Sequence, residues 1–305
     1  MKLILDLDTG IDDTFALAFA LASPEVELIG VTGTYGNVTV EQGVRNTLAL
    51  LELFGRPDIP VLPGPCREDF RVGEVSGFIH GANGIGGVEL PETTVRPAGS
   101  AVEFLIDAVR THDDLVIVPT GASTSIAAAL EDEYFAEHAR IVMMGGALTV
   151  PGNVQPWAEA NVWQDPEATD AVFRRAQNVT MIGLDVTLRT LLTTEETAQW
   201  RALGTPAGVA LADMADYYIR AYATTAPHLG GCGLHDPLAV AVALDPTLVQ
   251  CLEIPVQVDV EGATRGRTIG DLSRRGPLVK VAVGVDVERF LGEFMTRLTR
   301  LAANT

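Results

Sequence analysis

Four aspartates lie close together near the start of the chain: Asp6, Asp8, Asp12 and Asp13. Carboxylates held this near to one another repel, and their pKa values rise unless a cation neutralises them. A ligand set made only of oxygen atoms suits a hard cation such as Ca2+ or Mg2+. The run therefore predicts a metal site, although an aspartate N-cap followed by a solvated acidic turn also accounts for it.

The elements on either side of these aspartates place them at the edge of a sheet. Residues 2–7 are an apolar, β-prone run, and the chain from Asp12 onward has the apolar spacing of a helix. Because open α/β sheets bind ligands at the carboxyl ends of their strands, the turn between these two elements is a natural ligand site. Asp6 and Asp8 are expected to share a strand face, and Gly10 to permit a tight turn. The last two aspartates are expected in the first turn of the helix, where negative charge is favoured.

Composition narrows the class of protein. The chain has 305 residues, of which 47% are hydrophobic, and this is enough for a large buried core. Lysine and arginine number 21 against 40 aspartates and glutamates, and the net charge of -19 disfavours binding to nucleic acid or to an anionic membrane. No run of about 18 apolar residues predicts a membrane span, and no signal peptide is expected. Three widely spaced cysteines, Cys66, Cys232 and Cys251, predict a reducing cytoplasmic location without disulfides or zinc.

Apolar β-type runs alternate with amphipathic helical stretches along the chain. Further strands are predicted at residues 28–34, 115–119, 141–144, 179–184 and 254–260, and helices at residues 40–53, 101–111, 166–176, 207–224 and 287–301. This alternation predicts an α/β fold in which a single domain, residues 1–305, contains an open, mostly parallel sheet flanked by helices. Two long loops, residues 63–97 and 147–164, are expected to carry function or to be disordered.

Other polar residues are predicted near the same edge of the sheet. Residues 77–87, here called the glycine-rich segment, contain His80 and Asn83 and are a candidate for a mobile flap over a site. Thr120 follows a predicted strand and offers a hydroxyl or backbone oxygen, but an ordinary strand-to-helix turn explains it equally well. Asn37 also ends a strand and offers donors and acceptors to sugar hydroxyls, although an asparagine after a glycine is a common turn residue.

Two later stretches have both a functional and a structural interpretation. Glu159 and Asn161 are two residues apart, so an extended backbone would aim both in the same direction; together with Asn153 they would recognise a polyol or form a solvated loop. Asp236 precedes a proline and an apolar helical run, which is typical of a helix N-cap. In the functional interpretation, Asp236 is a metal ligand and His235 a proton donor.

Taken together, these motifs resemble those of the inosine-uridine preferring nucleoside hydrolases over nearly the whole chain. The resemblance rests on the motifs Asp6-Leu7-Asp8-Thr9-Gly10-Ile11-Asp12-Asp13, Gly36-Asn37, His80-Gly81, Val118-Pro119-Thr120-Gly121, Met143-Met144-Gly145-Gly146, Ala158-Glu159-Ala160-Asn161, Asp165-Pro166-Glu167-Ala168 and His235-Asp236-Pro237. It implies the nucleoside hydrolase fold, a tightly held Ca2+, and hydrolysis of the N-glycosidic bond of ribonucleosides to free base and ribose. Family members act on small nucleosides and are commonly homodimers or homotetramers.

The resemblance also implies roles for individual residues. The implied Ca2+ ligands are the carboxylates of Asp8, Asp13 and Asp236 and the backbone carbonyl of Thr120. The implied ribose-binding residues are Asp12, Asn37, Glu159 and Asn161, with Asn153 and Met144 lining the same pocket. Asp8 is also the implied base that takes a proton from the metal-bound water. The residue expected to protonate or stabilise the departing base is His235, and the next candidates for that role are His80, Tyr218 and Tyr222.

The chain departs from the family pattern at Thr9, where proline is usual, and at Ala160, where a phenylalanine is frequent and a smaller side chain opens space near the ribose 5′ end. His235 is typical of a branch with nonspecific and pyrimidine-preferring members, so the preferred base stays open. The acidic opening also resembles the nucleophile motif of haloacid-dehalogenase-like phosphatases, but the late acidic pair that those enzymes need has no convincing counterpart near Asp271. A catalytically silent nucleoside-binding protein that retains the metal site is the remaining alternative.

Overall fold

The structure, a computed structural model, describes residues 1–305. Its strands are β1 Lys2–Leu7, β2 Glu27–Gly33, β3 Val61–Pro63, β4 Leu115–Pro119, β5 Arg140–Met144, β6 Asn178–Ile182, β7 Leu191–Leu192, β8 Cys232–Gly233, β9 Val249–Ile254, β10 Val256–Val258, β11 Thr268–Gly270 and β12 Val279–Val285. Eight of them form one sheet in the order β3-β2-β1-β4-β5-β6-β12-β9. The other four form two small ribbons, β7-β8 and β10-β11.

Helices cover both faces of this sheet. They are α1 Ile11–Ala22, α2 Val40–Leu53, α3 Glu74–His80, α4 Ala101–Thr111, α5 Thr124–Ala129, α6 Glu133–His138, α7 Ala160–Gln164, α8 Pro166–Arg175, α9 Leu184–Thr187, α10 Thr194–Ala202, α11 Pro206–Thr225, α12 His235–Leu244 and α13 Val287–Ala303. None of them has both the length and the hydropathy needed to cross a lipid bilayer.

The strand pairings place several carboxyl ends along one edge of the sheet. β1 is parallel to both β2 and β4, and Asp6 lies level with Thr32 on one side and with Pro119 on the other. Every pairing in the large sheet is parallel except that of β12 with β9. The carboxyl ends of β1, β2, β4 and β5 therefore meet at one edge, and the predicted single α/β domain with a mostly parallel sheet is confirmed.

The core fixes β1 from both sides. Leu3, Leu5 and Leu7 pack in an apolar cluster with residues of α1, α11, α12 and α13, whereas Ile4 packs in a second cluster with residues of α4 and α8. This division follows from the alternation of side chains along a strand. Complete burial of one such side chain stabilises the fold by about 1.5–3 kcal/mol, so the strand that leads into the acidic turn is held firmly.

The predicted elements agree with the structure where the apolar pattern is strong and differ at the last edge of the sheet. β1, β4, α2 and α4 have the predicted bounds. The strand predicted at residues 254–260 is confirmed only in part: β10 lies within it, but Pro255 separates β10 from β9, which belongs to another sheet, because proline cannot donate a hydrogen bond to a strand ladder. The strands β9 and β12 were not predicted; four of the six residues of β9 are exposed, so its pattern gives no apolar face.

The two predicted long loops are partly helical. The first contains α3, so the glycine-rich segment begins within a helix that ends at His80. The second ends in α7, which contains Asn161. Short helices of this kind leave little periodic signal in the sequence, because one or two turns do not repeat the apolar spacing.

Candidate active site

Hydrogen bonds from neighbouring residues hold the turn between β1 and α1. Asp13 Oδ2 accepts a hydrogen bond from the backbone N–H of Gly10 at 2.7 Å, which satisfies a donor that the start of the helix leaves free. Asp13 Oδ1 accepts one from Thr120 Oγ1, also at 2.7 Å. Asp12 and Asp13 lie in the first turn of α1, as predicted, and Thr120 at the end of β4 is joined to that turn.

Asp236 reaches the same place from late in the chain. The carboxylate oxygens of Asp12, Asp13 and Asp236 lie within 4.8 Å of one another, and all three residues are buried. We call these three residues the carboxylate cluster. The N-cap interpretation of Asp236 is wrong, because Leu234 occupies the N-cap position and Asp236 lies inside the first turn of α12. The first turns of two helices, which both favour negative charge, thus contribute to one cluster.

Asp8 adjoins the carboxylate cluster and is bound by Asn37. The backbone N–H of Asn37 donates to Asp8 Oδ2 at 2.6 Å, and Asn37 Nδ2 donates to Asp8 Oδ1 at 3.1 Å and to Asp13 Oδ2 at 3.2 Å. Two glycines make room for this arrangement. A Cβ at Gly36 would lie 2.1 Å from Asp8 Oδ2, and a Cβ at Gly121 would lie 2.8 Å from Asp8 Cβ.

The electrostatics of the site favour a bound cation. Burial, together with the charge of the neighbouring carboxylates, raises the pKa values of Asp8 and Asp236 well above their ordinary value and that of Asp12 to about 8. Burial also raises the pKa of Asp13. Asp12 Oδ1 is buried without a hydrogen-bond partner. Mutually repelling oxygens with an unpartnered acceptor fit a hard cation such as Ca2+, and they do not fit the alternative of a solvated acidic turn.

Asp6 has a different environment from the other three aspartates. It is fully buried in β1, and its Oδ1 accepts a hydrogen bond from Thr32 Oγ1 of β2 at 2.6 Å. Burial raises its pKa to about 7. Asp6 and Asp8 were predicted to share a face of β1, but β1 ends at Leu7 and Asp8 lies beyond it. The two carboxylates accordingly bind different residues, Thr32 and Asn37. Asp6 therefore links two strands and is not part of the carboxylate cluster.

The segment from β5 to α7 contributes a second group of polar residues. Glu159 is the N-cap residue of α7, and its carboxylate accepts hydrogen bonds from two N–H groups of that helix and from Gly146 N–H at 2.9 Å. Asn161 Nδ2 donates to the carbonyl oxygens of Thr120 at 2.7 Å and of Met144 at 3.2 Å. The expected extended backbone at these residues is wrong, because Asn161 lies in α7. The helix nevertheless brings Asn161 to Thr120, whose hydroxyl contacts the carboxylate cluster.

Several residues support this second group. Asn153 Oδ1 accepts a hydrogen bond from Ala160 N–H at 3.0 Å and so holds the start of α7. Trp157 Nε1 donates to the backbone carbonyl of Arg265 at 3.0 Å, and the guanidinium of Arg265 donates to Glu167 at 2.8 Å. Neither Trp157 nor Arg265 was identified as a site residue from the sequence. No local pattern relates residues so far apart.

Aromatic residues of α11 line another side of the site. Tyr218 and Tyr222 pack edge to face, and the Tyr218 hydroxyl donates to Asp12 Oδ2 at 3.3 Å. The Tyr222 hydroxyl lies 2.5 Å from His235 Nε2, and Thr187 Oγ1 lies 2.8 Å from Nδ1 of the same ring. Burial lowers the pKa of His235 to about 4, so that at neutral pH an uncharged imidazole lies between two hydroxyls. The two tyrosines therefore contribute hydroxyl contacts to Asp12 and His235 in addition to packing. Thr187 was not identified from the sequence.

His80 is buried next to the acidic turn. Its Nδ1 accepts a hydrogen bond from Ile11 N–H at 3.1 Å and lies 3.9 Å from Asp12 Oδ1, while its ring packs against Tyr218 with 5.2 Å between ring centroids. Burial lowers the pKa of His80 to about 3. The expected reason for Gly10 is wrong, because its backbone is extended, with φ of -92°. A Cβ there would lie 2.6 Å from His80 Nδ1, so the glycine leaves room for His80.

Comparisons with known proteins agree over nearly the whole chain. Residues 3–292 match the model of a family described as inosine-uridine preferring nucleoside hydrolase. The chain is 37% identical over 306 residues to the pyrimidine-specific ribonucleoside hydrolase RihA of Escherichia coli, covering 98% of each. It is 60% identical to the solved purine-preferring ribonucleoside hydrolase from Gardnerella vaginalis, with a TM-score of 0.97 and 100% of both chains covered. A plant nucleoside hydrolase, PpNRh1, is 34% identical with a TM-score of 0.92, covering 98% of each chain.

Proposed function

The chain belongs to the inosine-uridine preferring nucleoside hydrolase family, and from this premise we propose that it hydrolyses ribonucleosides with the help of Ca2+ held at the carboxylate cluster. It is an N-glycosyl hydrolase, which breaks the bond between base and ribose and releases both. The observation that carries the calcium proposal is the approach of three buried carboxylates to within 4.8 Å, with Asp12 Oδ1 unpartnered.

The proposed ligands of Ca2+ are the carboxylates of Asp8, Asp13 and Asp236 and the backbone carbonyl of Thr120. Asp13 and Asp236 belong to the carboxylate cluster, and Asp8 shares with Asp13 a hydrogen-bond donor, Asn37 Nδ2. The hydroxyl of Thr120 is bound to Asp13, which keeps the backbone of Thr120 close. When bound, Ca2+ supplies positive charge that orients a water and ribose hydroxyls and lowers the pKa of that water.

Asp8 is the proposed general base that accepts a proton from the attacking water. Its two hydrogen bonds from Asn37 hold the carboxylate in one orientation. A general base that is already oriented loses little conformational entropy when the reaction takes place. The geometry therefore favours Asp8, which shares a hydrogen-bond donor with Asp13, over Asp6, whose carboxylate is bound by Thr32 of β2.

The proposed ribose-binding residues are Asp12, Asn37, Glu159 and Asn161, with Asn153 and Met144 at the same pocket. Cleavage of a glycosidic bond gives the sugar the character of an oxocarbenium cation. Carboxylates placed around the sugar stabilise that developing charge without having to reorganise. Asp12 Oδ1, which has no partner within the protein, is available to accept a hydrogen bond from a ribose hydroxyl.

His235 and Tyr222 are the proposed source of the proton that the departing base takes. The two side chains lie within hydrogen-bond distance, at 2.5 Å, and Thr187 orients the other side of the imidazole. His80 and Tyr218 are also proposed to contact the base. Their rings pack against each other beside Asp12, so one part of the nucleoside would meet both. A positioned proton donor typically contributes about 10²–10⁴-fold to the rate.

His235→Ala should therefore lower kcat for inosine by at least about 10²-fold. With p-nitrophenyl riboside, whose leaving group departs without a proton, kcat should fall by less than about tenfold, because general acid catalysis contributes little there. Steady-state kinetics on both substrates check this, and the exposed His138→Ala serves as the matched control. Equal losses on the two substrates would remove His235 from this role.

We further propose that purine ribonucleosides are the better substrates. RihA, at 37% identity, is described as pyrimidine-specific, whereas the Gardnerella vaginalis enzyme, at 60% identity over the whole of both chains, is described as purine-preferring. The higher identity favours the second preference for this chain.

One assay tests both the reaction and the preferred base. Purified protein is incubated with inosine, adenosine, uridine and cytidine, and free ribose is measured. We expect ribose release, with kcat/KM for inosine at least about tenfold above that for uridine, a difference within the range that pocket contacts supply. Faster uridine cleavage contradicts the base preference alone. No ribose from any nucleoside, with metal bound, contradicts the proposed function and supports a silent binding protein.

We also propose that the protein is a cytoplasmic homodimer or homotetramer that acts on small nucleosides and binds neither nucleic acid nor membranes. The net charge of -19 disfavours nucleic acid and anionic membranes as partners, and the three free cysteines fit a reducing compartment. Light scattering of the purified protein gives the mass of the assembly, and a monomer would contradict it.

A further inference from the structure

Asn46, on α2, joins the acidic turn to the glycine-rich segment. Its side-chain Nδ2 donates two hydrogen bonds, one to the backbone carbonyl of Thr9 at 3.1 Å and one to the backbone carbonyl of Asn83 at 2.9 Å. Its Oδ1 accepts a hydrogen bond from Gln42 Nε2 at 2.8 Å, which sets the orientation of the amide. Asn46 is only 4% exposed, so water does not replace these contacts readily.

The two carbonyls that Asn46 binds belong to the two loops that meet at the site. Thr9 lies between Asp8 and Gly10, in the turn that leads to the carboxylate cluster, and Asn83 follows His80 in the glycine-rich segment. The segment packs tightly at this point: a Cβ at Gly84 would lie 3.2 Å from the Thr9 carbonyl oxygen and 3.3 Å from Asn46 Nδ2. The side-chain amide of Asn46 therefore joins the acidic turn and the glycine-rich segment by hydrogen bonds to both.

His80 depends on this connection. The hydrogen bond from Ile11 N–H to His80 Nδ1, at 3.1 Å, is a direct link between the acidic turn and the glycine-rich segment. Asn46 adds a second link at Asn83, three residues beyond His80, and so the backbone that carries the ring is held close to the acidic turn. Without Asn46, the buried carbonyl of Thr9 and the partly buried carbonyl of Asn83 each lose a donor, and the hydrogen bond at His80 is left to hold the segment beside Asp12.

We propose that Asn46 is a positioning residue for nucleoside binding, which holds the glycine-rich segment against the acidic turn and thereby fixes His80 beside Asp12. It touches neither the carboxylate cluster nor, in this account, the substrate. The inference rests on the proposed function, because it assigns to Asn46 the placement of a residue that contacts the nucleoside. It also replaces the expectation of a mobile flap with a segment that is joined to the acidic turn at both His80 and Asn83.

Asn46→Asp tests the proposal, because it keeps the shape of the side chain and removes both donated hydrogen bonds. We expect KM for inosine to rise about tenfold, with kcat changed by less than about threefold, since the lost hydrogen bonds place the substrate and do not perform chemistry. Amide exchange reports on the segment without any substrate. The N–H groups of Gly84 and Gly86, which bond to Gly81 O at 3.0 Å and His80 O at 2.8 Å, should exchange about tenfold faster.

Thr47→Val is the matched control on the same helix. The Thr47 hydroxyl lies 2.7 Å from that of Thr9 and is equally buried, but it makes no hydrogen bond to the glycine-rich segment. We expect Thr47→Val to leave exchange at Gly84 and Gly86 as in the wild type. If Asn46→Asp does not fold, Asn46→Ser, which is too short to reach both carbonyls, takes its place.

The outcomes separate this inference from the proposed function. Faster exchange and a raised KM in the Asn46 variant, with neither in Thr47→Val, support the positioning role. Wild-type exchange and KM in the Asn46 variant overturn it, as do equal changes in both variants, which would show general loosening of α2. If the wild-type protein releases no ribose, the proposed function fails, and exchange rates alone still decide whether Asn46 anchors the segment.

Discussion

Asp8→Ala is expected to lower kcat for nucleoside hydrolysis by about 10³-fold while the protein remains folded. The substitution removes the proposed general base and one proposed ligand of Ca2+. It also leaves two donors of Asn37 without their main acceptor. The fold should survive because Asp8 lies beyond β1, whose apolar residues are buried on both faces of the sheet.

Asp8→Asn separates the base from the geometry of the site. The amide keeps an oxygen for a cation and the size of the side chain, but it accepts a proton far less readily than a carboxylate. We expect kcat to fall by about 10²-fold or more with KM changed much less, because a base acts only in the transition state. Circular dichroism and thermal melting confirm that each variant is folded.

Asp6→Asn is the control for a buried aspartate that lies near the carboxylate cluster without belonging to it. Asp6 is just as buried as Asp8, but it lies outside the carboxylate cluster, and an asparagine can still accept the hydrogen bond from Thr32. Its kcat should remain within about tenfold of wild type, since no transition-state contact is removed. Near-normal turnover in Asp8→Ala, or a larger loss in Asp6→Asn than in Asp8→Asn, would show that the base lies elsewhere.

Removal of calcium is expected to abolish ribose release and to lower the melting temperature. Burial and mutual repulsion raise the pKa values of Asp8, Asp12 and Asp236, so in the metal-free protein these groups must take up protons or stay charged without water, and either requirement opposes folding at neutral pH. A cation present at a thousandfold excess over its dissociation constant stabilises the folded state by about 4 kcal/mol. Because about 1 kcal/mol shifts the melting temperature of a large domain by roughly 2–4 °C, we expect a fall of about 8 °C or more.

Chelation followed by titration with defined cations checks this expectation. Ca2+ should restore both activity and melting temperature, and Mg2+ should restore less, because it requires a tighter octahedral geometry and keeps its water. In Asp236→Ala, which removes one carboxylate of the cluster, added Ca2+ should shift the melting temperature much less than in wild type. Full activity in protein that elemental analysis shows to be free of metal would refute the calcium proposal.

The sequence by itself was enough to predict several helices and strands and the edge of the sheet at which the candidate site lies. Apolar spacing is a local property of the chain, so β1, β4, α2 and α4 were predicted with correct bounds. The placement of the acidic run followed from the same local pattern, because the aspartates come at the carboxyl end of a buried parallel strand. Where local pattern was weak, as in the exposed edge strand β9, prediction failed.

Only the tertiary structure decided which side chains meet. Asn37 binds Asp8, Tyr222 contacts His235, and Asn161 reaches Thr120 through a short helix that the sequence did not indicate. The tertiary structure also shows why position 10 is a glycine: a side chain there would collide with His80. Such contacts join residues that are far apart in the chain. They depend on strand register and on the packing of helices over the sheet, and a local side-chain pattern carries information about neither.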